Sequence, residues 1–476
     1  MKRTSNHSSH RGAAHKIWCA GLVSLGLVAS ACSSDKAATP ATTPVVAATD
    51  VATTDTSPPP TEAVAATDPV ATGDTDPPAV TEPVGTEPTG EVNFSSNFPD
   101  LAPPTGEEIV IGLVNTEGGA AGLDFPEIRI DVLAVVDYLN QHGGLGGRPI
   151  KMETCAAKGS PETSQACAQE LAGKGVEMVM LGLDLFPDYA TYTAADIPVV
   201  GVLPIFPADN TADALFLTGG NATTTGAMAN VAKNHYKAAT VGIVSADNPG
   251  ANGTEASLVA ALDLAGIAHI TIKGGDNETD AGYQGLVREA AKDNPDLLIS
   301  LYAGDGCIGT MRGRASLGIT IPVITTSICS GKEVLDEVGD DALGWAFVGV
   351  STQKDTPELA IVQEMLAPAL GLEPSEVDST ALGLGALGMI GMMTLTQFAN
   401  MMAADGQEVT GASLYDYLGA SKGVKAWPNG AEIDCGAAEK YPTFCAFTFP
   451  VGEYVAGGKV ETVPGLDAVS AKDYLP

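Results

Sequence analysis

The stretch from Glu107 to Cys155 restricts the fold more than any other part of the chain. Ile109, Val110, Ile111, Leu113 and Val114 form a short, continuous, β-branched run, as expected of a strand buried on both faces of a parallel sheet. Ile128, Val132, Val135, Val136 and Leu139 then recur at three- and four-residue spacing, with Arg129, Asp131 and Asp137 between them. This predicts an amphipathic helix closed by Gly143-Gly144. A second strand follows from Ile150, so the unit reads β-α-β. Its polar link, Asn115-Thr116-Glu117-Gly118-Gly119, falls at the carboxyl end of the first strand, the edge at which open α/β sheets hold ligands. Asn115, Thr116 and Glu117 are therefore candidate contacts, a solvated loop acid being the alternative for Glu117.

The alternation persists. Strands are predicted near 150–154, 176–181, 197–202, 240–244, 269–272, 296–301, 322–325 and 346–350, with helices near 162–172, 225–234, 255–265, 283–292, 308–316 and 358–365. Such a chain builds parallel sheets with helices on both faces. Residues 107–476 are too many for one compact core, and around Leu215 to Thr225 one α/β set ends and another begins.

Between Asp378 and Asp405 no charged residue occurs, and Thr380 to Ala403 is mostly Ala, Leu, Gly and Met. The length would allow a membrane span. Thr394, Thr396, Gln397 and Asn400 interrupt it and no basic flank follows, so a buried helix is expected. Gly383-x-Gly385-x-x-Gly388 has the form of a dinucleotide fingerprint. It lies inside the apolar helix rather than after a strand, and is set aside. A helix near Leu414 to Ala420 and two β runs, Phe444 to Pro450 and Glu453 to Val460, follow, the last suiting a strand added late to an existing sheet.

The N-terminus sets the compartment. Lys2, Arg3, Arg11 and Lys16 precede an apolar run from Ile17 to Ala31, which makes residues 1–31 a secretory signal peptide. Its end, Val28-Ala29-Ser30-Ala31-Cys32, resembles the bacterial lipobox, which implies acylation of Cys32 and a lipid anchor in the cell membrane. An ordinary cleavage site with Cys32 incidental is the alternative. Residues 32–106 are Ala, Thr, Pro, Val and acid, with eleven acidic residues after Cys32 against the single Lys36. This composition buries too little apolar surface to order itself and reads as a stalk of up to about 200 Å at ~3.1 Å per residue.

Without the leader's four bases, 20 Lys and Arg face 58 Asp and Glu, a net charge of −38 that argues against nucleic acid as a partner. Beyond Cys19 and Cys32 six cysteines remain. Outside the cytosol an even number reads as disulfides, with fifteen pairings open. Cys155 with Cys167, Cys307 with Cys329 and Cys435 with Cys445 are favoured, since each pair lies within one strand-helix unit. Zinc spacing is absent.

The order of these pieces resembles the branched-chain amino-acid (leucine, isoleucine and valine type) solute-binding proteins of ABC importers. The resemblance rests on Ile111-Gly112-Leu113, on Leu139-Asn140-Gln141-His142-Gly143-Gly144-Leu145-Gly146-Gly147-Arg148-Pro149-Ile150, and on Asp296 to Ile319 ending Arg314-Ala315-Ser316-Leu317-Gly318-Ile319. It implies the type I periplasmic-binding fold: two doubly wound, Rossmann-like α/β lobes joined by three hinge crossings. One lobe takes 107–221 and 356–441, the other 222–355 and 442–476. A solute would bind between the facing carboxyl edges, close the lobes about a hinge, and pass to an ABC permease. A sensor of the same fold, reporting to a membrane signalling partner, is the second reading; a cell-wall structural protein suits the stalk but not the loops.

In amino-acid-binding members of that family, hydroxyl side chains clamp the α-carboxylate and a carboxylate faces the α-ammonium. Here the corresponding loops read Gly182-Leu183-Asp184-Leu185-Phe186, Leu203-Pro204-Ile205-Phe206 and Thr326-Ser327-Ile328, and no hydroxyl-rich clamp is evident. Leu185, Ile205 and Phe206 as apolar walls, with Asn115, Asp184, Tyr302, Asp305 and Ser327 as polar points, suit a small amphiphilic or cationic solute. Core packing is the alternative for Phe206 and Tyr302. Arg148 reads as a turn residue. After the leader only His142, His235 and His269 remain, and GxSxG, HExxH and Walker A sequences are absent. No catalysis and no cofactor or metal is expected.

Overall fold

The computed structural model describes residues 101–119, 124–350, 356–377, 385–428 and 430–476. The leader, Cys32 and the stalk up to Asp100 lie outside the described residues, as does the start of the long apolar segment, Gly383 included. Strand β1 (Ile109–Thr116) leads through the polar link to helix α1 (Pro126–Leu139), which opens on a proline at its first position. The chain then alternates through β2 (Ile150–Ala157), α2 (Pro161–Lys174), β3 (Met178–Leu181), α3 (Tyr189–Ala194), β4 (Val199–Gly201) and β5 (Leu215–Phe216). These five strands form one parallel sheet in the order β2-β1-β3-β4-β5, Ile109 lying beside Ile150 and Thr116 beside Ala157.

A second round follows: α4 (Gly220–Asn230), β6 (Thr240–Ala246), α5 (Pro249–Ala265), β7 (Ala268–Gly274), α6 (Asp280–Ala290), β8 (Leu297–Leu301), α7 (Asp305–Ser316), β9 (Val323–Thr326), α8 (Lys332–Val338) and β10 (Trp345–Val348). Helices α9 (Pro357–Leu370), α10 (Gly385–Ala404) and α11 (Gly411–Ala420) then return to the first sheet. The tail holds the pair β11 (Lys422–Lys425) and β12 (Glu432–Asp434), then β13 (Thr448–Phe449), β14 (Val451–Val455), β15 (Lys459–Thr462) and β16 (Val469–Ser470), which pairs with β13. The second sheet runs β15-β14-β10-β9-β8-β6-β7, with β14 antiparallel to β10 and Val451 beside Val348. The late-added strand is present. Its hairpin breaks at Gly457-Gly458, so the predicted single run Glu453 to Val460 is two strands.

Each sheet is covered on both faces. Ile109, Ile111 and Leu113 point to a core shared with α1, α9, α10 and α11, whereas Val114 faces Cys167, Leu171 and Tyr192 of α2 and α3. In the second lobe Val241 and Ile243 face α4 and α5, and Val244 faces Tyr283 and Val287 of α6. The chain passes between lobes between Leu217 and Ala227, between Val348 and Ile361, and between Cys445 and Val451.

Helix starts were the least legible boundaries. Helix α4 begins at Gly220 rather than near Thr225, because Gly220 takes φ +58° and opens the helix instead of breaking the chain. Helix α5 begins at Pro249, capped by Asn248, whose side chain accepts from the Ala251 amide. Helices α3 and α8 escaped prediction, being too short for a periodic signal.

No helix among the described residues is long and apolar enough to cross a membrane. Helix α10 is instead a buried packing element. A Cβ on Gly388 would lie 2.8 Å from Val132 Cγ2 and 3.0 Å from the Ile128 carbonyl, and one on Gly385 would meet Asp131 and the Glu127 carbonyl, so these two glycines let α10 press on α1. The glycine-rich close of α1 is likewise structural. Asn140 clamps both backbone groups of Ile150 (2.7 and 2.9 Å), and Arg148 pairs with Glu177 at 2.7 Å while donating to the carbonyls of Glu107, Glu108 and Val409. Disulfides join Cys155 to Cys167, Cys307 to Cys329 and Cys435 to Cys445.

Candidate functional site

At the carboxyl edge of the first sheet, the loops after β1, β3 and β4 are stitched to one another. Asn115, 1 % exposed, accepts from the Leu183 amide at 2.9 Å and donates to the Phe125 carbonyl at 2.7 Å and to Glu117 at 3.1 Å. Thr116, fully buried, donates its amide to the Leu183 carbonyl and accepts at its own carbonyl from the Phe125 amide. Glu117 receives both its bonds to Arg129 from Nε, at 2.9 and 3.0 Å, so it is an ion-paired residue rather than a free acid. These three residues shape the edge.

Behind that edge lies a buried polar cluster. Asp184, 3 % exposed, accepts from Ser164 Oγ at 2.6 Å and from the Phe186 amide at 3.2 Å. Burial pushes its carboxyl up from the ordinary range, Asp209 adds to this, and the two hydrogen bonds oppose it. Its Oδ2 has no hydrogen-bond partner among the described residues. Asp209, 2 % exposed, accepts from the amides of Ile205 and Phe206 and from the Tyr189 hydroxyl. Ser164, Tyr189 and Asp209 had no signal in the sequence, because their relation is through space and spans two loops and two helices.

What the edge presents outward is apolar. Leu185 is enclosed in the core, but Ile205 and Phe206 are only half-buried, and Phe186 is 38 % exposed. The Phe186 and Phe206 rings stack with centroids 5.8 Å apart and planes 16° from parallel. Phe186 closes the loop Gly182-Leu183-Asp184-Leu185-Phe186, where its sequence position does not distinguish it from a core residue.

In the second lobe Asp305 opens α7 and is exposed, as are Ser327 and Ile328 after β9. Tyr302, expected to line a cleft and stack on a solute, does not. Its ring is 2 % exposed and turned inward, edge-on to Tyr283 at 5.5 Å, with its hydroxyl close beneath Gly274. No face is left open for stacking. A depression between α6 and α7 is lined by Asp280, Gln284, Arg312 and Asp341, and Arg312 there is paired with Glu337. No group of three His, Cys, Asp or Glu among the described residues is placed to hold a metal ion.

With this geometry in view, the likeness to known proteins is plain. The profile of a family described as periplasmic binding protein matches residues 108–433. No curated protein matches the chain. Among solved structures, an ABC transporter substrate-binding protein from Sphaerobacter thermophilus superposes with a TM-score of 0.58 at 18 % identity, covering 77 % of this chain and 99 % of its own. A branched-chain amino acid transporter substrate-binding protein from Streptococcus pneumoniae, in complex with isoleucine, gives 0.51 at 16 % identity, with 75 % and 99 % covered. A solute-binding protein from R. palustris, in complex with 4-hydroxybenzoate, gives 0.53 at 16 % identity, with 77 % and 98 % covered.

Proposed function

The chain belongs to the periplasmic binding protein family, and on that premise we propose that it is a lipid-anchored extracytoplasmic receptor that captures a small solute and delivers it to an ABC permease. The observation that carries this reading is the pair of sheets, parallel but for the added strands β14 and β15, whose carboxyl edges expose apolar side chains, Phe186 in one lobe and Ile328 in the other, on loops at the ends of β3 and β9. The two lobes would close on the solute as a hinge, the movable joints being the three crossings.

The leader, Cys32 and the acidic stalk supply the rest: acyl chains on Cys32 hold the protein at the outer face of the membrane, and residues 32–106 let the lobes reach the permease. The solute is an amino acid or a related amide or amine. Mass spectrometry of the mature protein finds Cys32 acylated and N-terminal; an unmodified Cys32 removes the anchor from the account. A thermal-shift panel of amino acids, amides, ureas and polyamines identifies the solute, since a ligand at 100 times its dissociation constant stabilises by ~2.7 kcal/mol. A melt that no panel member shifts counts against the receptor.

A further inference from the structure

We propose that the edge formed by Phe186, Ile205 and Phe206 takes a solute with a flat apolar face and no negative charge, an aromatic amine or a neutral aromatic amide rather than an α-amino acid or a carboxylate. The inference rests on the reading of this edge as the solute site.

Its first support is the aromatic pair. Nine large hydrophobic side chains of the described residues are exposed, and of these Phe186 and Ile328 lie on loops at a sheet's carboxyl edge. The backbone that carries each ring of the pair is held in place. The Phe186 amide is tied to the buried Asp184 and the Phe206 amide to the buried Asp209, at 3.2 and 2.8 Å. The platform is therefore preorganised, so a planar ligand would order little on binding.

The second support is the state of the donors. A bound carboxylate needs N–H and O–H groups to replace its water. Here the amides of Leu183, Phe186, Ile205 and Phe206 are taken by Asn115, Asp184 and Asp209, and the hydroxyls of Ser164 and Tyr189 by the same two aspartates, while the hydroxyls of Thr116 and Tyr192, without a partner among the described residues, belong to fully buried side chains that do not reach the surface of the edge. The nearby guanidinium of Arg129 is engaged by Glu117. Neither Asp184 nor Asp209 has a Lys or Arg partner among the described residues, so their field repels an anion and favours a cation over the rings.

The test is titration calorimetry of the purified full-length protein with benzylamine, benzamide, benzoate and L-leucine. Benzylamine or benzamide should bind at least tenfold more tightly than benzoate and leucine. Phe186→Ser, at an exposed position, and Phe206→Leu, which keeps apolar volume under the loop, should each weaken that binding about tenfold with the unfolding midpoint retained. Tighter binding of benzoate or leucine overturns the proposed class while leaving the receptor reading standing. Affinities unchanged in both variants, or no binding of any of the four probes, overturn it as well; the broader thermal-shift panel decides the receptor reading separately.

Discussion

Asp209 accepts hydrogen bonds from the amides of two successive residues, Ile205 at 2.6 Å and Phe206 at 2.8 Å, and so fixes the loop that presents the Phe206 ring. A third bond, from the Tyr189 hydroxyl at 2.7 Å, ties the same carboxylate to α3. Replacing it by alanine strands three donors, and Asp209→Ala should lower unfolding free energy by about 3 kcal/mol and weaken solute binding. Asp209→Asn keeps an acceptor and should cost about 1 kcal/mol. Urea unfolding of the two variants checks the order; equal stability of Asp209→Ala and the parent would show that the loop holds itself.

Asp131 gives a pH prediction. It is 5 % exposed on α1, and its carboxyl is raised to about 7, first by burial and then by Glu127, which is itself raised by burial. Since the folded value lies above the ordinary one, the native protein holds an extra proton between about pH 4 and pH 7, and this group's contribution to stability falls as pH rises through that window. Asp131→Asn should therefore be about 1–3 kcal/mol more stable than the parent at pH 8 and gain nothing at pH 4. Unfolding midpoints measured across pH 4–8 would contradict this by running parallel for the two proteins.

The glycines of α10 and α2 should behave oppositely. Gly388→Ala places a methyl against the Ile128 carbonyl and Val132, and should destabilise by about 1–3 kcal/mol. Gly173, exposed within α2 and with open space around it, should stabilise by about 0.5–1 kcal/mol as alanine. Thermal melts of the pair test whether α10 is held by close contact with α1.

Much of the fold could be read before the structure, because β-branched runs and helical periodicity report burial directly. Close sequence spacing made the three cystines readable too. The site was less legible for a physical reason: a polar residue at a strand end looks the same whether it meets a ligand or ties down a loop. Asn115 and Asp184 turn inward to bind backbone amides, and Tyr302 turns toward Tyr283, a choice of sheet face that position alone does not reveal. Phe186 is the converse, an apolar residue left outside where core packing would be expected.

Cys307 and Cys329 are both fully buried and close a loop of sequence separation 22 between α7 and the turn after β9. Replacing both by alanine should lower stability by about 3 kcal/mol, read as a lowered guanidinium midpoint. An unchanged midpoint would mean that the packing of α7 on β9 needs no covalent tie.

The account's central claim is that a small solute binds outside the carboxyl ends of β3 and β4, against Phe206. A crystal structure of the protein grown with its tightest-binding solute tests it most directly. The account predicts one solute molecule in contact with the Phe186 and Phe206 rings, with the loop after β9 on its other side. A solute found along α6 and α7, or loops at the sheet edges left empty while the solute sits elsewhere, would contradict it.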